Sequence, residues 1–366
     1  MNTVSIAALR TELWQKELYQ DVMDELYFMR NGMMGKDANN IIQIKDDLKK
    51  SNGDTVTFGL TTKLDGSGVS GDGELEGNEE QISSYSQSVV IDQIRNSVRL
   101  TGKLDEQMAA YDMRMDAKSK LATWAREMLE RQIFMKLGGV TTTTLTDYAG
   151  SVYSGLATWS NKPNVVPAAE EAAGTGARYV CADASGIDSL ETTDILTPAL
   201  ISRARHKAVL ASPRMRPLRV EGKDYFICFI HPSQAYDLKN AASGVWAQAQ
   251  REAQIRGDKN PLFTGALGVW DGVIIYEHEY VPTAQATAAF SVGGTATAAR
   301  CYRALLCGQQ AGVYAQTADS FNMVEKLFDY DNKVGYATGI IGGVQKTAFN
   351  SLDYAVVSID TGATAI

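Results

Sequence analysis

Gly66, Gly68 and Gly71 satisfy the spacing G-x-G-x-x-G behind a strand-like run, the arrangement that lets a backbone approach a dinucleotide pyrophosphate. That chemistry also needs a helix opening at the third glycine, because the free N–H groups and dipole of its first turn hold the phosphates. Gly71 is instead followed by Asp72, Gly73, Glu74, Leu75, Glu76 and Gly77, a poor helix start whose carboxylates repel phosphate. Gly32-Met33-Met34-Gly35-Lys36 is a shortened P-loop spacing, and Asp37 stands where Ser or Thr would bind magnesium; a helix end followed by a loop is expected. Asp329, Asp331 and Asn332 look like the start of a calcium loop, but Lys333 takes the third ligand position and Gly335 comes one residue late. That predicts a β-turn with solvated acids.

His206, His231 and His278 share no short metal-ligand spacing. Cys181, Cys228, Cys301 and Cys307 form no C-x-x-C pair, so buried free thiols packing as small hydrophobes are expected. No G-x-S-x-G is present. The expectation is a protein without catalytic residues, cofactor or metal.

The elements that would carry these residues follow from composition and period. The 366 residues are 45% hydrophobic and 21% charged, with a net charge of −8, a globular composition with enough apolar surface for about two domains. An acidic balance argues against a surface that grips phosphate backbones throughout. The N-terminus lacks a basic segment followed by an apolar run, and no stretch approaches the ~18 apolar residues of a membrane span. A cytoplasmic protein with no membrane partner is expected.

Ile6 to Met29 shows helical spacing closed by Asn31-Gly32, an amphipathic arm. Strand-like runs at Ile41 to Ile44, Thr55 to Thr62 and Ser84 to Thr101 follow. Between the last two, Asp65 to Asn78 is glycine-rich and acidic and offers only Val69 and Leu75 as aliphatic side chains, so the pair reads as a long hairpin with a coreless tip. Leu104 to Leu137 lacks Gly and Pro and ends at Gly138-Gly139; as one helix it would run about 50 Å. Its expected apolar seam is Leu104, Met108, Tyr111, Met115, Ala122, Ala125, Leu129 and Ile133. Val140 to Ser189 reads as a small-residue surface excursion. Helices near Pro198 to Leu210 and Gly244 to Ile255 flank a buried strand at Tyr225 to Ile230, and strands at Ala304 to Leu306, Val313 to Ala315, Val324 to Phe328 and Tyr354 to Ile359 close the chain.

Two charged clusters are candidate contact surfaces. Arg203, Arg205, Lys207, Arg214, Arg216, Arg219 and Lys223 have only Glu221 as an acid among them; a solvated helix face, a patch facing packaged nucleic acid and a dock for an acidic neighbour all fit. The hairpin tip supplies such acids in Asp72, Glu74, Glu76, Glu79 and Glu80.

The order of arm, glycine-tipped hairpin, spine helix, mixed α/β region and returning strands resembles the major capsid proteins of tailed bacteriophages. Gly71 to Glu80 followed by Tyr85, Ser88, Val89, Ile91, Asp92, Gln93, Val98 and Arg99 looks like the N-four-like phage capsid family, as does Asn260 to Gly265 leading to Gly268 to Val273, Tyr276 and Glu277. The resemblance implies an α+β protein with the major capsid fold of tailed phages and herpesviruses, the Hong Kong phage type. It implies an N-terminal arm at 1–50, an extended loop at 51–101, a peripheral domain at 102–193 and 321–366, and an axial domain at 194–320.

Such a subunit would form the pentamers and hexamers of an icosahedral virion head enclosing double-stranded DNA, assembled in a bacterial cytoplasm. Its partners would be itself, a portal, a scaffolding protein and, in some heads, a decoration protein. Because the chain starts almost at once with the arm, the scaffolding protein is expected to be separate. Arg114, Arg126 and Arg131 of a neighbour's spine are the expected partners of the tip acids. No lysine lies between Lys63 and Lys103, so a shell without covalent links through this loop is expected. An encapsulin-like cellular compartment is the alternative.

Overall fold

A single long strand, Lys333–Lys346, organises one of the two large sheets among the described residues. In the computed structural model, which describes residues 18–46, 53, 55–61, 68–79, 84–108, 113–140, 144–146, 152–154, 178–183, 190–211, 214–220, 222–241, 244, 246, 248, 266–284, 301–317, 322–330, 332–349 and 352–363, it has neighbours on both sides. Asn322–Phe328 pairs antiparallel with its first half and Gly312–Gln316 with its last five residues, while Asp92–Arg99 lies along the other side. Ile42–Lys45 adds parallel to Gly312–Gln316, and Met34–Gly35 adds beyond it. The sequence pattern does not announce this strand. Gly335, Gly339, Gly342 and Gly343 interrupt its apolar alternation, and glycine weakens strand signals wherever another backbone comes close.

The second sheet runs Gly268–Trp270, Val273–Glu277, Lys223–Ile230, Cys301–Cys307, Val356–Thr361 and Tyr179–Cys181. Cys301–Cys307 and Val356–Thr361 are buried along their whole length, and Phe226 to Ile230 likewise. Central strands covered on both faces read as nearly continuous apolar runs. The helix Pro198–Leu210 covers one side, turning Ile201, Ala204 and Ala208 inward. A second helix, Pro232–Asn240, is capped by His231, whose Nδ1 accepts from Ser233 N at 3.2 Å. His231 therefore has a structural role.

The spine is described as helix over Lys103–Met108 and Met113–Leu137. Residues 109–112, including Tyr111 of the expected seam, lie outside the described residues. The seam holds only in its second half: Ala125, Leu129 and Ile133 are buried, whereas Leu104, Met108 and Met115 are 71%, 74% and 59% exposed. From Met128 to Leu137 the helix is enclosed nearly all round: Leu137 lies against Gly312 of the first sheet, while Phe134 packs on Phe229 and Met135 clusters with Tyr179 and Cys301 of the second. Its end at Gly138-Gly139 matches expectation, with Gly139 at φ +65°.

Thr55–Thr61 and Ser84–Val90 form the predicted hairpin, with Val56 opposite Val89 and Phe58 opposite Gln87. The Val140 to Ser189 tract is not wholly a surface excursion, since Arg178 to Cys181 is buried and joins the second sheet. Of the expected helix from Gly244 to Ile255, residues 246 and 248 are described as helical, Gly244 has φ +60°, and 245, 247 and 249–255 lie outside the described residues. The arm's first 17 residues are also outside, whereas Leu18, Val22, Met23, Leu26 and Phe28 pack into the main core. Sheet membership crosses the boundaries drawn from sequence: Val356–Thr361 and Tyr179–Cys181 belong with the 223–230 strand, and Gly312–Gln316 belongs with the long strand.

Candidate assembly surfaces

The hairpin tip is built of turns without a core. Gly68, Gly71 and Gly77 have positive φ, and all residues from 68 to 79 are exposed. Asn78 N donates to Leu75 O at 3.0 Å, Asn78 Nδ2 to Glu74 O at 2.9 Å, and Gly77 N to Glu79 Oε2 at 2.8 Å. The short-range bonds shape the tip and leave Asp72, Glu74 and Glu76 projecting into solvent. Glu80 lies outside the described residues. No helix follows Gly71 among residues 72–79, so a pyrophosphate would find no helix N-terminus there.

Two of the spine's cations, Lys118 and Arg126, face the subunit's own arm. Residues 18–25 are helical and run alongside the spine: Lys118 lies 3.9 Å from Asp21, Arg126 contacts Glu25, and Glu130 Oε1 accepts from Tyr27 N at 2.8 Å. Arg131 reaches Glu127 at 3.5 Å and lies 4.6 Å over the Tyr280 ring. The side chain of Arg114 is outside the described set. Exposed pairs of this kind contribute little to stability, so the buried apolar face of the arm carries its docking.

The basic cluster divides in two. Arg205 pairs with Asp271 at 2.9 Å, Lys207 Nζ donates to Tyr179 O at 2.7 Å, and Arg219 lies 3.4 Å from Asp224. Partial burial and the neighbouring Arg203 lower the Lys207 pKa. Arg203, Arg214, Arg216 and Lys223 are exposed, so the part open to a partner is smaller than the sequence suggests.

Beneath these surfaces lie buried polar joints that sequence reasoning missed. Arg303 is fully buried and forks onto Asp360, with Nε and Nη2 each 2.7 Å from a carboxylate oxygen, while Nη1 donates to Gly138 O at 3.0 Å. This joint ties the end of the spine to the second sheet. Gly138 lies flat on Pro282, where an added Cβ would meet Pro282 Cγ at 2.7 Å. Lys346 and Asp353, also fully buried, stand 2.8 Å apart; burial raises the Asp353 pKa, against the lowering pull of Lys346. The arginine within Cys301-Tyr302-Arg303-Ala304-Leu305-Leu306-Cys307 was the available signal, because a lone charge in an apolar run needs a buried partner.

Where arm, spine and second sheet meet, Tyr27, Phe28, Phe134, Phe229, Tyr276 and His278 stack edge to face or tilted, with ring centroids 4.4 to 6.4 Å apart. Burial lowers the His278 pKa to about 4. Its Nδ1 accepts from Tyr280 N at 3.1 Å, and its Nε2 faces Glu130 Oε2 at 3.8 Å. Burial raises the Glu130 pKa. The four cysteines are buried and free. Among the described residues no group of His, Cys, Asp and Glu is placed to hold a metal ion, and no helix is long and apolar enough to cross a membrane.

Several large apolar side chains are exposed on and around the first sheet. Val324 and Leu327 lie on its edge strand, fully exposed Tyr330 sits in the adjoining turn, and Leu104, Met108 and Met115 belong to the nearby helices.

The profile of a family described as "Phage capsid protein" matches residues 2–365. The major capsid protein of Pseudomonas phage KPP25 is 27% identical over 380 residues, spanning 99% of this chain and 98% of its own. The capsid of Ralstonia phage GP4 superimposes with a TM-score of 0.80 at 27% identity, over 93% of this chain and 92% of the other. The Cyanophage Pam1 capsid superimposes at 0.68 with 24% identity over 92% of each, a likeness of fold.

Proposed function

The chain belongs to the phage capsid protein family, and from that premise we propose that it is the major capsid protein of a tailed phage, a subunit that self-assembles into the icosahedral head enclosing double-stranded DNA. The observation that carries this reading is the hairpin. One face of its root, Val56, Phe58 and Val89, is buried in the subunit while residues 68–79 are exposed without a core. Ordering such a segment costs conformational entropy that local turns do not offset. A neighbouring subunit lying beneath it supplies the missing contacts.

In this reading the hairpin is the extended loop, the long-strand sheet with its spine forms the peripheral domain, and the second sheet with its two helices forms the axial domain. The tip acids Asp72, Glu74, Glu76, Glu79 and Glu80 meet a neighbour's Arg114, Arg126 and Arg131. Arg126 and Arg131 already have partners within their own subunit, so the incoming tip acids join or exchange with that subunit's Glu25 and Glu127. The exposed Val324, Leu327 and Tyr330 on and beside the first sheet's edge strand are a second contact between subunits. Pentamers and hexamers form the shell, with a scaffolding protein, a portal and a decoration protein as partners, in the cytoplasm of the host. The subunit's role is structural and not enzymatic.

Electron microscopy of the purified chain tests the reading. Heads or capsomers are expected, with only monomer-sized bands on denaturing gels because no lysine lies between Lys63 and Lys103. Glu74→Lys combined with Glu76→Lys should block or weaken assembly and leave the subunit's melting temperature unchanged. Small uniform cages around an enzyme cargo would support the compartment-shell alternative, and a double variant that assembles normally would remove the proposed acid contact.

A further inference from the structure

We propose that Gln87 is a positioning residue for assembly, fixing the direction in which the hairpin leaves the body. This rests on the reading of the hairpin as the arm that crosses a neighbour. Opposed residues of an antiparallel pair share a face, and so do alternate residues along a strand. Phe58 opposite Gln87 and Val56 opposite Val89 therefore put Val56, Phe58, Gln87 and Val89 on one face of the root. The three apolar members are buried in the main core. Gln87 acts beside them through its amide: Nε2 donates to Lys346 O at 2.8 Å, and Ala348 N donates to Oε1 at 2.7 Å. One side chain thus makes the two-bond exchange that a paired strand residue makes.

The backbone it grips is itself immobilised. Lys346 is fully buried against Asp353. Thr347 N and Oγ1 both donate to Ala311 O, and Oγ1 also reaches Gln310 O at 2.6 Å. The root lies flush on Gly343, where an added Cβ would stand 2.5 Å from Val90 O. The apolar plug fixes where the root sits, and the amide restrains its rotation about that plug. Leverage makes this matter. The chain from Phe58 to Gly71 can reach at most about 45 Å, so a swing of about 10° at the root moves the tip by up to about 8 Å. A displacement of that size exceeds the reach of any salt bridge or hydrogen bond.

The test is a pair of spin labels on Ser70→Cys at the tip and Ser119→Cys on the spine, both exposed positions. The four native thiols are buried, so the introduced cysteines label selectively. Gln87→Met keeps the volume and removes both bonds; Gln87→Glu keeps the contact with Ala348 N–H and loses the donor. The Met variant is expected to broaden the label-to-label distance distribution at least twofold and cut the rate of shell formation about tenfold, with melting within a few degrees of the parent. The Glu variant should fall between, and it serves alone if the Met variant is too unstable to measure. An unchanged distance distribution overturns the inference, as does an unchanged assembly rate in a chain that forms shells. If the parent chain forms no shells, the assembly reading fails while the distance measurement still decides the role of Gln87.

Discussion

Replacing Arg303 with Met should destabilise the isolated subunit by about 3–5 kcal/mol, because it strands a buried carboxylate. Arg303 and Asp360 have no solvent exposure, and the guanidinium makes two 2.7 Å contacts to the carboxylate and one 3.0 Å bond to Gly138 O. Without the arginine, the buried Asp360 carboxylate loses its charged partner and Gly138 O at the end of the spine loses a charged donor. Net stabilities of folded domains are about 5–15 kcal/mol, so the loss is a large share of the total. Removing both partners, Arg303→Met with Asp360→Leu, should recover most of it, since apolar groups of similar volume replace buried ion pairs at little cost. Urea unfolding of the parent, both single variants and the double variant, followed by tryptophan fluorescence, gives the coupling energy directly. A single-variant cost below about 1 kcal/mol, or costs that simply add, would refute this account of the joint.

Two further outcomes follow from buried groups. His278 titrates at about 4 in the folded chain, below its ordinary ~6.5. The unfolded chain therefore holds the extra proton between those values, and the stability at stake, up to about 3 kcal/mol, is present above pH 6.5 and lost as pH falls toward 4. Glu130, with its raised pKa, works in the opposite sense, since the folded state favours its protonated form. His278→Gln should flatten the fall in urea midpoint from pH 6.5 to 4, and equal slopes for parent and variant would show that His278 does not set it. Burial raises Cys181 to about 11 and Cys228 to about 12, and raises Cys307 as well. A thiol reagent at pH 8 should find no fast-reacting cysteine in the native chain and four in urea; a fast native thiol would contradict the packing.

What the sequence disclosed depended on how local each signal was. The hairpin and its turn were legible because glycines and acids cluster at the tip while Val56 and Phe58 alternate along one arm. The helix Pro198–Leu210 follows from Pro at its first position and the spacing of Ile201, Ala204 and Ala208. The long strand was hidden by glycines that make room for close neighbours such as Val90. Leu104, Met108 and Met115 followed a helical period, yet a period cannot say whether its stripe faces the same subunit or another.

Among contact residues, the tip acids were legible from composition, whereas the partner of Arg126 was not, since Glu25 lies 101 residues away. Gln87 carried no signal. A glutamine in a strand reads as solvent-facing, and its grip on Lys346 and Ala348 exists only after the chain has returned some 260 residues later.

Cryo-electron microscopy of particles formed by the purified chain tests the central claim most directly. A closed shell in which each hairpin tip lies across the spine helix of an adjacent subunit, within ion-pair distance of its arginines, is the predicted result. Particles in which residues 68–79 fold back onto their own subunit, or a chain that remains monomeric at every concentration, would contradict it.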